Sequence, residues 1–356
     1  MKIIKNVICD GRQVDIAVEN GKIYKIYDAG SSECPDAEYV DFGGAEIYPG
    51  LIDIHSHGAL GHDTMDADAL DFLAEYYLKN GITTWYPTTM TMSVDDINAA
   101  VTAPYAGGGA SILGFHFEGP FINAKRCGAQ DPEYAIAPDA SLFDSHECMK
   151  MITVAPETEG AIEYIKNCPA VVAIGHTCCD YDTARAAFLA GAKCLTHTFN
   201  AMPGIHHREP GPVIAGAECG AYAQLICDGI HIHPAVVRSL IKLYGTERVI
   251  LISDSISATG LPDGDYNLGG QAVRMDGGVV TLREGVLAGS SVTLFECVRR
   301  AISFGIPKAD AVKMASENPA RLMGINKGVI AEGYDADFII VDSDFNLVRA
   351  IARGEF

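Results

Sequence analysis

Pro49-Gly50-Leu51-Ile52-Asp53-Ile54-His55-Ser56-His57-Gly58 is the stretch on which the reading of this 356-residue chain turns. Its first half is an apolar run of strand length, and its second half sets two histidines one residue apart. Successive side chains on a strand leave opposite faces, so His55 and His57 share one face and Ser56 takes the other. Before it the sequence is β-rich, with candidate strands at residues 2–9, 14–18 and 22–27 parted by the turn dipeptides Asp10-Gly11 and Asn20-Gly21. After it, short apolar strands alternate with helical stretches. Strand candidates fall at residues 51–55, 81–84, 111–117, 151–154, 171–175, 193–198, 223–227 and 249–253. Helical periodicity falls at 67–80, 93–101, 181–190 and 234–244. Eight such strands are what a (β/α)8 barrel requires.

Residues 264–288 break the rhythm with Gly-rich alternation and read as a β-hairpin insertion. The tail, 328–348, returns to strands, most clearly at 337–341. The expectation is an α/β chain in which residues 49–326 form a TIM-like barrel. Residues 1–48 and 327–356 would join as one small β domain, because chain ends often lie close together.

Charge and composition remove several function classes. There are 26 Lys+Arg against 46 Asp+Glu, a net charge of −20, which opposes nucleic-acid binding. At 48 % hydrophobic residues the chain is too apolar to be disordered. No run is long enough for a membrane span, and the start lacks the apolar core of a signal peptide. The eleven cysteines are odd in number, and their only close pair is the adjacent Cys178-Cys179, so reduced thiols in the cytoplasm are expected.

Six residues stand where candidate strands give way to loops: His55 and His57, Glu118, His176, His197 and Asp254. In a barrel of this kind those ends form the catalytic face. Imidazoles and carboxylates converging there suit a divalent transition metal such as Zn²⁺ or Fe²⁺. Any one of these motifs alone is weak, but six placed alike on five strands are not accidental.

The order His-x-His, Glu, His, His, Asp on eight strands resembles the amidohydrolase superfamily. The stretch 49–58, with His116-Phe117-Glu118-Gly119-Pro120-Phe121 and Thr196-His197-Thr198-Phe199-Asn200-Ala201-Met202, is similar to the N-acetylglucosamine-6-phosphate deacetylases within it. So are Arg208-Glu209-Pro210-Gly211, Asp228-Gly229-Ile230-His231 and Leu287-Ala288-Gly289-Ser290. The resemblance runs from about residue 4 to about residue 345. It implies a β-sandwich for the domain built from both chain ends. It also implies Glu118, His176 and His197 as ligands of a principal metal, zinc or iron(II), with His55 and His57 serving a second position, so one or two metals per subunit. Asp254 would be the acid/base. Metal lowers the pKa of bound water toward about 7, which Asp254 can deprotonate before protonating the departing amine.

For the substrate, the resemblance implies backbone N–H groups of Asn200 and Ala201 on a phosphate, joined by His231 and by Arg208 reaching from a neighbouring subunit, hence a homodimer. Leu287-Ala288-Gly289-Ser290 would lie by the acetyl group; the plainer alternative, compatible with that role, is a helix-entry turn with Ser290 as N-cap. Asp63 and Asp66 read as loop architecture. The chain departs from the family at Gly128-Ala129-Gln130, where the last residue is usually His; Ala129 and Gln130 are still expected at the substrate. The implied reaction is hydrolysis of the acetamide of N-acetyl-D-glucosamine 6-phosphate. The alternatives are the N-acetylgalactosamine epimer, cyclic amides or N-acyl amino acids, and a non-catalytic sugar-phosphate sensor.

Overall fold

Parallel pairing runs unbroken through the middle of the chain in the computed structural model, which describes residues 1–32 and 34–355. Leu51–Ser56 pairs with Ile82–Thr89, and Phe115–Glu118, Met149–Val154, Val171–Ile174, Cys194–Leu195, Tyr222–Ile226 and Val249–Ile252 follow in order. The last strand meets the first through hydrogen bonds from Asp254 N to His55 O at 2.9 Å and from Ser253 Oγ to the buried Asp53 Oδ2 at 2.6 Å. Those contacts turn the sheet into a (β/α)8 barrel. The strands read as continuous apolar runs because both faces are covered: Ile52, Ile54, Tyr86, Met151, Ile226, Ile250 and Ile252 fill the interior. Leu73, Trp85, Leu225 and Leu251 belong to the larger core shared with the helices.

Two strand expectations change. The run 111–117 divides into Ser111–Ile112, which pairs beside the second strand, and Phe115–Glu118, with Gly114 between them at φ +144°. The run 193–198 contracts to Cys194–Leu195, and the chain bends out of the ladder at His197, φ +24°. Helices Tyr181–Ala190 and Pro234–Tyr244 begin and end where their patterns do.

Both chain ends meet in one seven-stranded sheet, where Phe338–Val341 pairs antiparallel with Glu46–Pro49. Ile4, Val7, Ile16, Ile47, Phe338 and Ile340 form a separate core there. Lys327, 7 % exposed, ties this sheet to the chain leaving the barrel through Asp337 (2.6 Å) and Asp335 (3.0 Å). The insertion is three strands, Gly264–Leu268, Gln271–Asp276 and Val279–Leu282, because Gly277-Gly278 adds a second tight turn. It docks on the barrel mouth, where Asp63 Oδ2 accepts from Gly269 N at 3.0 Å, which makes Asp63 loop architecture. Ser290 is not an N-cap. Thr293 caps Leu294–Ser303 in a capping box with Glu296, while Ser290 Oγ donates to Ser253 O at 2.6 Å.

Candidate metal centre

All six candidate ligands converge at the C-terminal ends of the barrel strands, each less than a tenth exposed. Their donor atoms form two groups, Glu118–His176–His197 and His55–His57–Asp254. Glu118 joins them. Its Oε1 lies 2.9 Å from His197 Nε2, 3.2 Å from His176 Nε2 and 3.1 Å from His55 Nε2, and its Oε2 lies 3.2 Å from His57 Nε2. Asp254 Oδ1 sits 3.5 Å and 3.4 Å from His55 and His57. His176, His197 and Asp254 take positive φ (46°, 24° and 49°), a costly conformation for non-glycine residues that turns these side chains inward just past their strands.

The hydrogen bonds behind the imidazoles test whether this set suits a metal. His57 Nδ1 faces Thr88 O at 3.1 Å, His176 Nδ1 faces Arg126 O at 2.9 Å, and His55 Nδ1 faces Gln224 Oε1 at 3.0 Å. Carbonyl oxygens only accept, so each Nδ1 carries the proton and each neutral ring aims an Nε2 lone pair at the Glu118 carboxylate. Lone pairs facing a carboxylate at about 3 Å repel unless protons or a cation lie between. Protonating all four rings would crowd four positive charges against Glu118 and Asp254 alone. One or two divalent ions satisfy the same atoms, with outer carbonyls orienting His55, His57 and His176 as metal-bound histidines require, while the buried Nδ1 of His197 has no hydrogen-bond partner. The residues fit the ion.

Charge reinforces this. Burial alone would raise the Glu118 carboxyl, but positive charge placed at the facing nitrogens of His55 and His176 lowers it well below the usual range, and a cation between neutral rings would supply that charge. Asp254 likewise is lowered, against burial, by His55 and His57.

A cavity of about 480 Å³ opens above the centre. Ala129, Gln130, Asn200, Ala201, His231, Leu287 and Gly289 all line it, as expected from the sequence. Phe199 and Ala201 at φ +79° and +49° frame Asn200. His231 is held by Asp228, Nδ1 to Oδ2 at 2.7 Å; burial opposes its charge, yet the Asp228 bond raises its pKa above the ordinary 6.5. Arg208 does not line this cavity. It is exposed, with Nη1 2.8 Å from His207 Nε2, and His206 and His207 form the loop beside it.

Several contributors escaped the sequence reading. Gln224 accepts from both His55 Nδ1 and, at 3.2 Å, His197 N. A lone polar residue inside the apolar strand Tyr222–Ile226 was its signal. Buried His116 stacks edge-on against His55 at 4.6 Å between rings and bonds Thr153 Oγ1 at 2.8 Å. Lys125 and Arg126 line the cavity wall, and the insertion contributes Leu268.

This architecture and centre define a metal-dependent hydrolase of the barrel class, and the chain belongs to the amidohydrolase family, whose pattern matches residues 47–355. Among its relatives is an N-acetylgalactosamine-6-phosphate deacetylase of Escherichia coli O157:H7, 37 % identical over 328 residues covering 87 % of each chain. An N-acetylglucosamine-6-phosphate deacetylase of Bacillus subtilis strain 168 is 36 % identical and covers 95 % of this chain and 91 % of its own. A solved N-acetyl-D-glucosamine-6-phosphate deacetylase variant of Mycobacterium smegmatis, in complex with N-acetyl-D-glucosamine 6-phosphate, superposes with a TM-score of 0.91 at 31 % identity. It covers 99 % of this chain and 98 % of its own.

Proposed function

We propose that this chain hydrolyses the acetamide of N-acetyl-D-glucosamine 6-phosphate to D-glucosamine 6-phosphate and acetate. The observation that carries the reading is Glu118 shared between two buried ligand groups beneath a cavity walled by Asn200, Ala201 and His231, in a chain related to deacetylases throughout its length.

In this reading Glu118, His176 and His197 hold a principal divalent metal, zinc or iron(II), and His55 and His57 serve a second position. Bound there, the metal supplies Lewis acidity to the amide carbonyl and to the attacking water. Asp254 takes a proton from that water and gives it to the amide nitrogen as the C–N bond breaks, since an amine leaves poorly unless protonated. His231 and the backbone around Asn200 and Ala201 grip the phosphate. Leu287, Gly289 and Ala129 wall the acetyl end.

Arg208 completes the phosphate site from a second subunit. Supporting a homodimer, the exposed apolar Ile205, Val236 and Leu243 surround a hollow near Phe199 on the same side of the barrel. The proposal includes a division into residues 1–48 with 327–356 and residues 49–326. It also places the chain in the cytoplasm, as eleven free cysteines suit; among the described residues no helix is long and apolar enough to cross a membrane.

The test is acetate release by metal-reconstituted protein offered N-acetylglucosamine 6-phosphate, its galacto epimer and unphosphorylated N-acetylglucosamine in parallel. Turnover of the first alone is expected, and chelation abolishes it. The galacto epimer is the second reading, favoured by the relative from Escherichia coli O157:H7. No acetate from any of the three, with metal bound, refutes the deacetylase reading in favour of cyclic amides, N-acyl amino acids or a sensor.

A further inference from the structure

We infer that Gln130 is a positioning residue for Glu118 and that, by occupying one carboxylate oxygen, it makes the two metal positions unequal. The inference rests on the metal-centre reading above. Gln130 is 6 % exposed and its own N–H is tied to Cys127 O at 2.9 Å. The backbone N–H of Thr91 meets its side chain at 2.7 Å. That group can only donate, so the atom facing it is Oε1, and the amide nitrogen must face the other way. There Nε2 donates to Glu118 Oε2 at 2.6 Å.

Thr91 also holds Glu118 from behind, its Oγ1 donating to Glu118 O at 2.9 Å. So close an approach needs Gly119, where φ is +92° and a Cβ would fall 2.0 Å from Thr91 Oγ1. Thr91 and Gln130 thus grip both the backbone and the side chain of this one ligand. Both ends of the Gln130 amide are engaged, which sets a positioning role ahead of the substrate contact expected from the sequence.

The consequence follows from which oxygen is taken. Oε1 faces His176 and His197, and His55 of the second group at 3.1 Å, with no amide donor on it. Oε2, the oxygen nearer His57, already accepts a short hydrogen bond that draws on its charge. The Glu118–His176–His197 position therefore has a pre-oriented oxygen that no amide donor occupies. The His55–His57–Asp254 position has to share Oε1 with that first position through His55, and it has to compete with Gln130 for Oε2, the oxygen beside His57.

The experiment titrates Zn²⁺ into the full chain against a chromophoric chelator, without substrate, for wild type, Gln130→Ala, Gln130→His and His57→Asn. In wild type the two stepwise affinities should differ by at least about tenfold, the scale of an outer ligand contact. Gln130→Ala should weaken the first step about tenfold and narrow the gap, or bring an undetectable second step into range. Gln130→His, whose ring N–H can donate in the same place, should keep the wild-type gap, and His57→Asn should delete only the weaker step. Equal affinities in wild type, a gap unchanged in Gln130→Ala, or a single step in both overturns the inference, as does loss of the tighter step in His57→Asn. If Gln130→Ala does not fold, the other variants still decide. Acetate is not read here, so a chain that shows the unequal steps but no turnover refutes the deacetylase reading alone.

Discussion

Replacing Gln224 with Leu should unsettle the centre without touching a ligand. Gln224 is fully buried, and its Oε1 is the recorded acceptor for both His55 Nδ1 (3.0 Å) and the His197 amide (3.2 Å). Each buried donor left unpaired costs about 1–3 kcal/mol, or about 2–6 kcal/mol for the pair. Leu returns part of this, because the amide nitrogen it removes bonds only the Met151 sulfur at 3.7 Å, a weak acceptor. A net loss of about 2–4 kcal/mol remains. Thermal unfolding in excess chelator isolates this cost from metal linkage, and the midpoint should fall by about 3–5 °C. Met151→Leu is the control. It discards the sulfur contact, keeps the acceptor, and should cost less than about 1.5 kcal/mol. With His55 free to turn or change tautomer, Zn²⁺ affinity in Gln224→Leu should drop about ten- to hundredfold. A variant that matches wild type in both midpoint and Zn²⁺ affinity would show that this amide oxygen does not hold the imidazole, and the tautomer argument for the whole centre would fail with it.

Gly289→Ala places a Cβ 2.4 Å from Ile256 Cγ2 and 3.0 Å from Asp254 O at φ +60°. It should cost about 1–3 kcal/mol in a melt and lower kcat more than it raises KM; an unchanged melt would contradict the clash. His231 has its pKa raised above 6.5, so it stays charged at that pH and loses its proton as pH climbs through the higher folded value. KM for the phosphorylated substrate should therefore rise with alkaline pH in wild type. It should be high and flat in His231→Asn, and a wild-type KM–pH curve in that variant would exclude the residue from phosphate binding. If Arg208 acts across a dimer, equal amounts of inactive Asp254→Asn and Arg208→Ala subunits should recover about a quarter of wild-type activity after exchange. No recovery, with mixed dimers verified by mass, would place Arg208 outside the neighbouring site.

The barrel was legible because parallel strands covered on both faces are written as short continuous apolar runs, and eight of them recur with helices between. Tyr181–Ala190 and Pro234–Tyr244 were bounded by side chains that cap them, Asp180 and His233, so their ends could be read. The convergence of the six candidate ligands was legible from residue type and place. What could not be read was pairing across sequence distance. Nothing near Gln224 shows that it serves His55, 169 residues away, and nothing near Gln130 shows that Thr91 will fix its amide. The alternative of Ser290 as a cap could not be decided from sequence, because a serine before a helix looks alike whether it caps or reaches back to Ser253.

A physical regularity connects the failures with the chemistry. The fifth, sixth and eighth strands stop at Ile174, Leu195 and Ile252, and each is followed two residues later by a candidate ligand with positive φ: His176, His197 and Asp254. Continuing the ladder through those residues would keep standard backbone geometry and alternation, and would not aim all three at Glu118. The chain instead leaves the ladder early and accepts an unfavourable backbone at three sites. Outer contacts then hold the result: Arg126 O on His176, Gln224 on His197 N, and His55 O on Asp254 N. The apolar pattern of a strand carries no mark of where such a turn falls, which is why the run 193–198 was read too long. The ligand placement therefore depends on a shell of buried acceptors as much as on the ligands themselves, and mutations in that shell should loosen metal binding while leaving the barrel folded.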